Sequence, residues 1–185
     1  MDYFDVYDID RVKTGKQLER HAERSADEFS SVIHLCIFNS RGEMLIQQRQ
    51  PFKSTWPGLW DVSVGGGITA GENPRQAVTR EVKEELGLNI DLTDIRPKLT
   101  VNYGSGFDDF FLITEDIVLN DLKLQSEEVA DARWASRDEI KAMLSDGTFI
   151  PYYASLIDCL FDMRDRYGAH ANEVGSTGSE SCFMA

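Results

Sequence analysis

Cysteine is scarce in this sequence. Three occur in 185 residues (Cys36, Cys159 and Cys182), far apart and odd in number. No CxxC and no Cys/His cluster is present, which excludes the usual spacing of a zinc site. Free thiols suit a reducing setting. Positive charge is also short: 19 Lys and Arg stand against 32 Asp and Glu, a net charge of −13. Without a basic field, binding a nucleic-acid duplex is excluded as the main task. No apolar run approaches the ~18–20 residues of a membrane span. The opening MDYFDVYDIDR has neither the basic start nor the apolar stretch of a signal peptide. No internal repeat is found. These absences lead to the expectation of a cytoplasmic protein.

What remains is ordinary globular material, 42% hydrophobic and 28% charged. A chain of this length buries roughly 70% of its unfolded surface, so its core needs no disulfide. The composition predicts one domain over residues 1–167, with 1–30 an N-terminal extension carrying short strands. A small, polar tail over 168–185 is expected to be disordered. The excess acid serves either solubility or a cation, and local pattern must decide.

Residues 3–7 alternate weakly, as a short strand does, whereas 16–30 are polar and ambiguous. Val32 to Phe38, the turn at 40–42 and Glu43 to Arg49 form a β-hairpin pattern. Two prolines and a glycine make 51–59 a loop. Trp60 to Val64 is a strand candidate that Gly65-Gly66-Gly67 ends or bends. Pro74 at a first helical position and Gly87 as a stop bound a helix ending at Leu86. Strands are expected over 96–103, 107–114 and 129–135. Ser136 with Glu139 makes a capping box for a following helix, and 151–166 an amphipathic last helix. Strands and helices mix without regular alternation, so the fold class is α+β or an irregular sandwich.

The chemistry concentrates in Gly66 to Leu88, GGITAGENPRQAVTREVKEELGL. On a helix, Glu81, Glu84 and Glu85 fall within an arc of about 100°. Val78, Val82 and Leu86 form the neighbouring apolar stripe. Like charges at this spacing cost a few tenths of a kcal/mol per pair, and Arg80 and Lys83 are expected to point away from the face. A solvated acidic surface is one explanation. Clustered oxygens for Mg²⁺ or Mn²⁺ are the other, and the glycines beside them let backbone approach a ligand.

This segment resembles the Nudix box, G-x5-E-x7-R-E-U-x-E-E-x-G-U, with U aliphatic. Gly66, Glu72, Arg80, Glu81, Val82, Glu84, Glu85, Gly87 and Leu88 fill every specified position. The flanking segments extend the resemblance over roughly residues 1–165. It implies an α/β/α sandwich around a mixed β-sheet, with the box as loop–helix–loop. It also implies a Mg²⁺- or Mn²⁺-dependent hydrolase that cleaves a diphosphate bond in a nucleoside diphosphate or a compound linked to one. By position, Glu81, Glu84, Glu85 and the Gly65 carbonyl would be metal ligands. Catalysis would rest on Glu84 and Glu81, with Arg80 and Glu72 orienting the glutamates. Which glutamate is the general base stays open. Family members are often homodimers, so a homodimer is a further expectation.

The surroundings resemble the branch related to type I isopentenyl-diphosphate isomerase, through Arg49-x-x-x-Lys53-x-x-Trp56-Pro57-Gly58-x-Trp60-x-x-Ser63-Val64. That resemblance makes Arg49 and Lys53 candidates for diphosphate contact. The isomerase continues Cys-Gly-His, with Cys the proton-transfer residue, where this chain has Gly65-Gly66-Gly67. The isomerase's upstream metal histidines would fall near Glu23 and Ser30. A hydrolase on a shared scaffold is the leading expectation, with isomerase-like activity and a non-catalytic ligand-sensing module as alternatives. A further carboxylate for substrate or metal is expected from Asp108 and Asp109, or from Glu127 and Glu128. His34 is expected as a packed, hydrogen-bonded strand residue, Trp56 and Trp60 as loop-anchoring aromatics, and Cys36 as core.

Overall fold

A computed structural model describes residues 3–170. Most of the expected 168–185 tail, with Cys182, lies outside the described residues. The chain opens with an antiparallel ribbon of β1 (Tyr3–Tyr7) and β2 (Lys13–Glu19). β2 falls partly in the segment that sequence left ambiguous. Its residues, KTGKQLE, are exposed except for a half-buried Leu18, so no apolar alternation marks it. Its pairing with β1 supplies the order that burial does not.

The main sheet contains β3 (Ser30–Phe38), β4 (Met44–Arg49), β5 (Trp60–Asp61), β6 (Val64–Gly67), β7 (Leu99–Tyr103), β8 (Gly106–Thr114) and β9 (Val129–Ala135). Its order is β5-β4-β3-β8-β7, with β6 also on β3 and β9 also on β4. Only β3 and β8 run parallel, so the sheet is mixed. β3 and β4 pair at Phe38 and Met44 and then diverge, which lets β6 dock against Val32–Leu35. Gly65-Gly66-Gly67 therefore continues a strand instead of ending one. The expected single strand Trp60–Val64 is two short ones, broken at Val62-Ser63.

The sheet's two faces carry two cores. One joins Cys36, Phe38, Phe110 and Leu112 to α2 (Arg137–Asp146) and α3 (Ala154–Met163); the other joins Ile33, Leu35, Ile37 and Phe111 to α1 (Pro74–Leu86). This is the α/β/α sandwich around a mixed sheet. Alternation along a strand decides which residue faces which layer. Cys36 is fully buried core. The last helix is shorter than its 151–166 pattern at both ends, running from Ala154 to Met163, with Tyr152 N–H bonded to the Ile150 carbonyl in a tight turn before it. Among the described residues no helix is long and apolar enough to cross a membrane.

Sequence defines α1 at both ends. Asn73 and Gln76 form a reciprocal capping box, Pro74 takes the first turn, and Gly87 closes the helix at φ 70°. Gly87 is required there, since a Cβ would also lie 2.6 Å from Lys123 Cβ. The buried face holds Ala77, Val78, Val82 and Leu86, and also Glu81 and Glu85. Two of the three box carboxylates thus lie within the apolar stripe, not beside it. Full burial of each larger aliphatic contributes roughly 1.5–3 kcal/mol, which offsets seating acids on the same face.

Candidate active site

Glu81 and Glu85 are 8% and 4% exposed, while the side chain of Glu84 is half exposed. Arg80 does not point away as expected; it organises the group. Its Nε and Nη2 donate to the two Glu72 oxygens at 2.9 and 3.0 Å, and Nη2 also donates to Gly67 O at 3.1 Å. Its Nη1 lies 2.8 Å from Glu81 and 3.2 Å from Glu84. Glu72 is held in turn by the Thr69 amide. This fork is what arginine offers and lysine does not. It ties the helix to the loop before it and to the glycine strand.

The glycines are required by proximity. Gly66 has no left-handed φ, but a Cβ on it would lie 2.2 Å from Glu81 Oε1. Glu85 accepts from Gln47 Nε2 at 2.9 Å, a contact from β4 to α1. Burial, with Glu81 beside it, pushes Glu85 up to about 8 against the amide's opposing effect. Burial also raises Glu81, opposed by Arg80. Two acids held in reluctance at close range are the electrostatic signature of a site awaiting positive charge.

These groups open on a cleft of about 990 Å³. Gly65, Gly66, Gly67, Arg80, Glu81, Glu84 and Glu85 line one part of it. Arg49 and Lys53, both expected for the substrate, line it too. Arg49 bonds the Thr55 carbonyl at 3.1 Å, and Lys53 pairs with Glu128 at 2.7 Å. Of the four rival carboxylates the cleft takes one from each pair, Asp108 and Glu128. Asp109 is a correction. It faces the other side of the sheet, fully buried, bonded to Thr100 at 2.6 Å and paired with Arg11 of the ribbon. Glu127 does not line the cleft and accepts from Ser126.

Several cleft residues were not foreseen. His34 lines it, stacked on Phe110 with ring centroids 4.6 Å apart, and its buried Nδ1 has no hydrogen-bond partner. Trp56 is half exposed at the cleft with φ 50°, so it does not anchor the loop in the core; Trp60 does pack there. Asp61, Tyr152 and Gln125 also enter, and Arg20 comes from the end of the N-terminal ribbon. They lie far apart in sequence, and no local pattern groups them.

Residues 28–153 match the NUDIX domain family. The chain belongs to the Nudix family. It is 44% identical over 170 residues to an uncharacterized Nudix hydrolase of Listeria monocytogenes, covering 92% of this chain and 99% of that one. It is 30% identical to an isopentenyl-diphosphate isomerase of Citrobacter koseri, over 69% of this chain and 74% of that protein. Among solved structures, one from Deinococcus radiodurans aligns with TM-score 0.73 at 23% identity, covering 86% of this chain and 99% of that one. A MutT protein of Methanosarcina mazei aligns at 0.56 and 26% identity, covering 74% and 95%.

The protein is thus a Nudix hydrolase, with the Nudix box on α1 and the loop before it. Among the described residues, no three His, Cys, Asp or Glu side chains stand together closely enough to hold a metal ion. Arg80 lies against Glu81 and Glu84 instead. The donor chemistry still fits a hard cation: three carboxylates on one helix, two of them buried and raised, beside a strand of glycine backbone. Glu81, Glu84 and Glu85 are the residues that would hold a divalent cation, with Gly65 backbone as a further oxygen.

Proposed function

We propose that this Nudix hydrolase cleaves the diphosphate bond of a nucleoside diphosphate, or of a compound linked to one, in a reaction that requires Mg²⁺ or Mn²⁺. The supporting observation is the buried pair Glu81 and Glu85 in a cleft that also presents Arg49 and Lys53. A chain of net charge −13 repels a diphosphate unless cations bridge the two. Glu81, Glu84 and Glu85 would hold a divalent ion, which would offset that repulsion and lower the pKa of a water. Arg49 and Lys53 take charge on the phosphoryl oxygens, and Arg80 holds Glu81 and Glu84 in register. A box carboxylate removes the proton from the attacking water.

Isomerase-like activity finds less support. Gly65 stands where that chemistry needs a thiol. Cys36 is fully buried, and burial pushes its thiol far up. Cys159 lies on α3, outside the cleft. The test is a product assay over nucleoside diphosphates, triphosphates, dinucleotides, nucleotide sugars and isopentenyl diphosphate, with Mg²⁺, Mn²⁺ or EDTA. Release of phosphate or a nucleotide that EDTA abolishes is expected. Binding without turnover on every compound would overturn the reading in favour of a sensing module.

A further inference from the structure

Part of the cleft outside the Nudix box has a polarity of its own. Asp61, at the end of β5, is 5% exposed yet lines the cleft. Both its hydrogen bonds fall on Oδ1, from Tyr152 Oη at 2.9 Å and from the Val62 amide at 2.8 Å. Oδ2 is left as an acceptor for a ligand. His34 lies edge-on to Tyr152, ring centroids 6.1 Å apart, with Nε2 3.5 Å from Asp108 Oδ1. Its unpartnered Nδ1 is buried. A lone pair left unmet costs less than a buried N–H left unmet, so the proton belongs on Nε2, facing Asp108. Burial pushes the Tyr152 hydroxyl up most, and the charges of Asp61 and Asp108 add to it, so both carboxylates lie close to the phenol, while His34 joins them through its ring contact with Tyr152 and its approach to Asp108.

This group offers carboxylate acceptors and one N–H, and among the described residues no Lys or Arg is paired with Asp61 or Asp108. It suits neither phosphate nor hydrocarbon. An alkyl chain over Asp61 would strip water from a buried carboxylate and return no hydrogen bond. Hydroxyl groups fit, because each donates one bond and accepts others. The geometry points to a sugar-binding subsite: Asp61, held by Tyr152, accepts hydrogen bonds from hydroxyls of a sugar joined to the diphosphate, with His34 and Asp108 completing the pocket. The sugar is either the nucleoside's ribose or a second sugar on the distal phosphate. This rests on the diphosphohydrolase reading and adds to it which part of the substrate is recognised, and by what.

The test compares substrates that differ only in hydroxyls, with Asp61→Asn as the probe. The asparagine keeps its oxygen on Tyr152 and Val62 and turns an NH2 toward the cleft, so an acceptor becomes a donor. One arm compares a ribonucleoside diphosphate with its 2′,3′-dideoxy form. The other compares a nucleoside diphosphate hexose with a nucleoside diphosphate alkyl ester. Wild type should prefer the hydroxylated member by about 10- to 100-fold in kcat/KM in one arm. In Asp61→Asn a hydroxyl can still accept from the new NH2 but loses its charge-assisted bond to the carboxylate, so that ratio should fall at least about threefold, and the arm names the sugar. A purely structural or electrostatic role would lower both members equally and leave the ratio, which overturns the inference. Equal use of both members by wild type in both arms also overturns it. Tyr152→Phe, which frees Asp61 but keeps the ring, should reduce the ratio partway and serves if the asparagine variant does not fold. Absence of turnover on all four compounds would instead refute the hydrolase reading on which this stands.

Discussion

Replacing Gly66 by alanine tests the seat of Glu81 directly. The added methyl would lie 2.2 Å from Glu81 Oε1, 2.3 Å from its Cδ and 2.7 Å from its Cγ. Heavy atoms in contact settle near roughly 3.5 Å, so the carboxylate must withdraw by about 1 Å. That is far enough to loosen its 2.8 Å contact with Arg80. Because the displaced atoms end a flexible side chain, the fold should absorb the change. Gly66 sits in a strand without a left-handed φ, where alanine is favoured over glycine by roughly 0.5–1 kcal/mol. The thermal midpoint should therefore stay within about 4 °C of wild type. Activity should not survive as well. A 1 Å misplacement of a reacting or ligating group costs on the order of 10²-fold. Steady-state kinetics with saturating Mg²⁺ and a melting curve read both quantities. Gly67→Ala is the internal comparison, since its methyl meets only the Arg20 guanidinium, Nη2 at 3.2 Å and Cζ at 3.8 Å, and its loss should be smaller. A Gly66→Ala enzyme within threefold of wild type would refute the claim that Glu81 must sit where it does.

Other expectations concern its neighbours. Glu85 carries a folded value of about 8 against an ordinary 4.5. Between those values the folded protein holds a proton that the unfolded chain has lost, so stability falls as pH rises from about 4.5 to 8. Melting in EDTA across that range should show the decline, and Glu85→Gln should lessen it, Glu81 keeping its own share, while cutting turnover by orders of magnitude; an unchanged slope would contradict the assignment. Asp109→Ala removes a buried partner of Arg11 and Thr100 and should cost about 1–3 kcal/mol of stability. Its kcat/KM per folded molecule should stay within a few-fold of wild type, and a specific collapse of kcat would return Asp109 to the site. Asn73→Ala, which removes one half of the α1 capping box, should cost about 1 kcal/mol by chemical denaturation.

The sequence made α1 legible because every device that builds it is local: a cap, a proline, a stop glycine and acids at helical spacing. The same locality explains the limits. Period three to four put Glu81, Glu84 and Glu85 on one side, but whether that side was solvent or core depended on the sheet. Arg80 could be placed on the helix, while its fold-back onto Glu72 and Gly67 required the loop. Asp108 and Asp109 are separated by a period of two, and only the pairing of β8 with β3 shows which one shares a face with His34. Asp61 and Tyr152 meet across 91 residues. β2 stayed hidden because its faces are nearly all exposed.

In the proposed reaction water, activated at the Glu81–Glu85 cleft, attacks a diphosphate. Turnover of the preferred nucleoside diphosphate compound in ¹⁸O-labelled water with Mg²⁺ or Mn²⁺ tests it most directly. One ¹⁸O per turnover is expected, bonded to phosphorus in a single product by mass spectrometry or ³¹P resonance, with labelled product abolished in EDTA and cut by orders of magnitude in Glu85→Gln. Turnover that leaves all phosphorus unlabelled, or labelling that persists in EDTA, would contradict it.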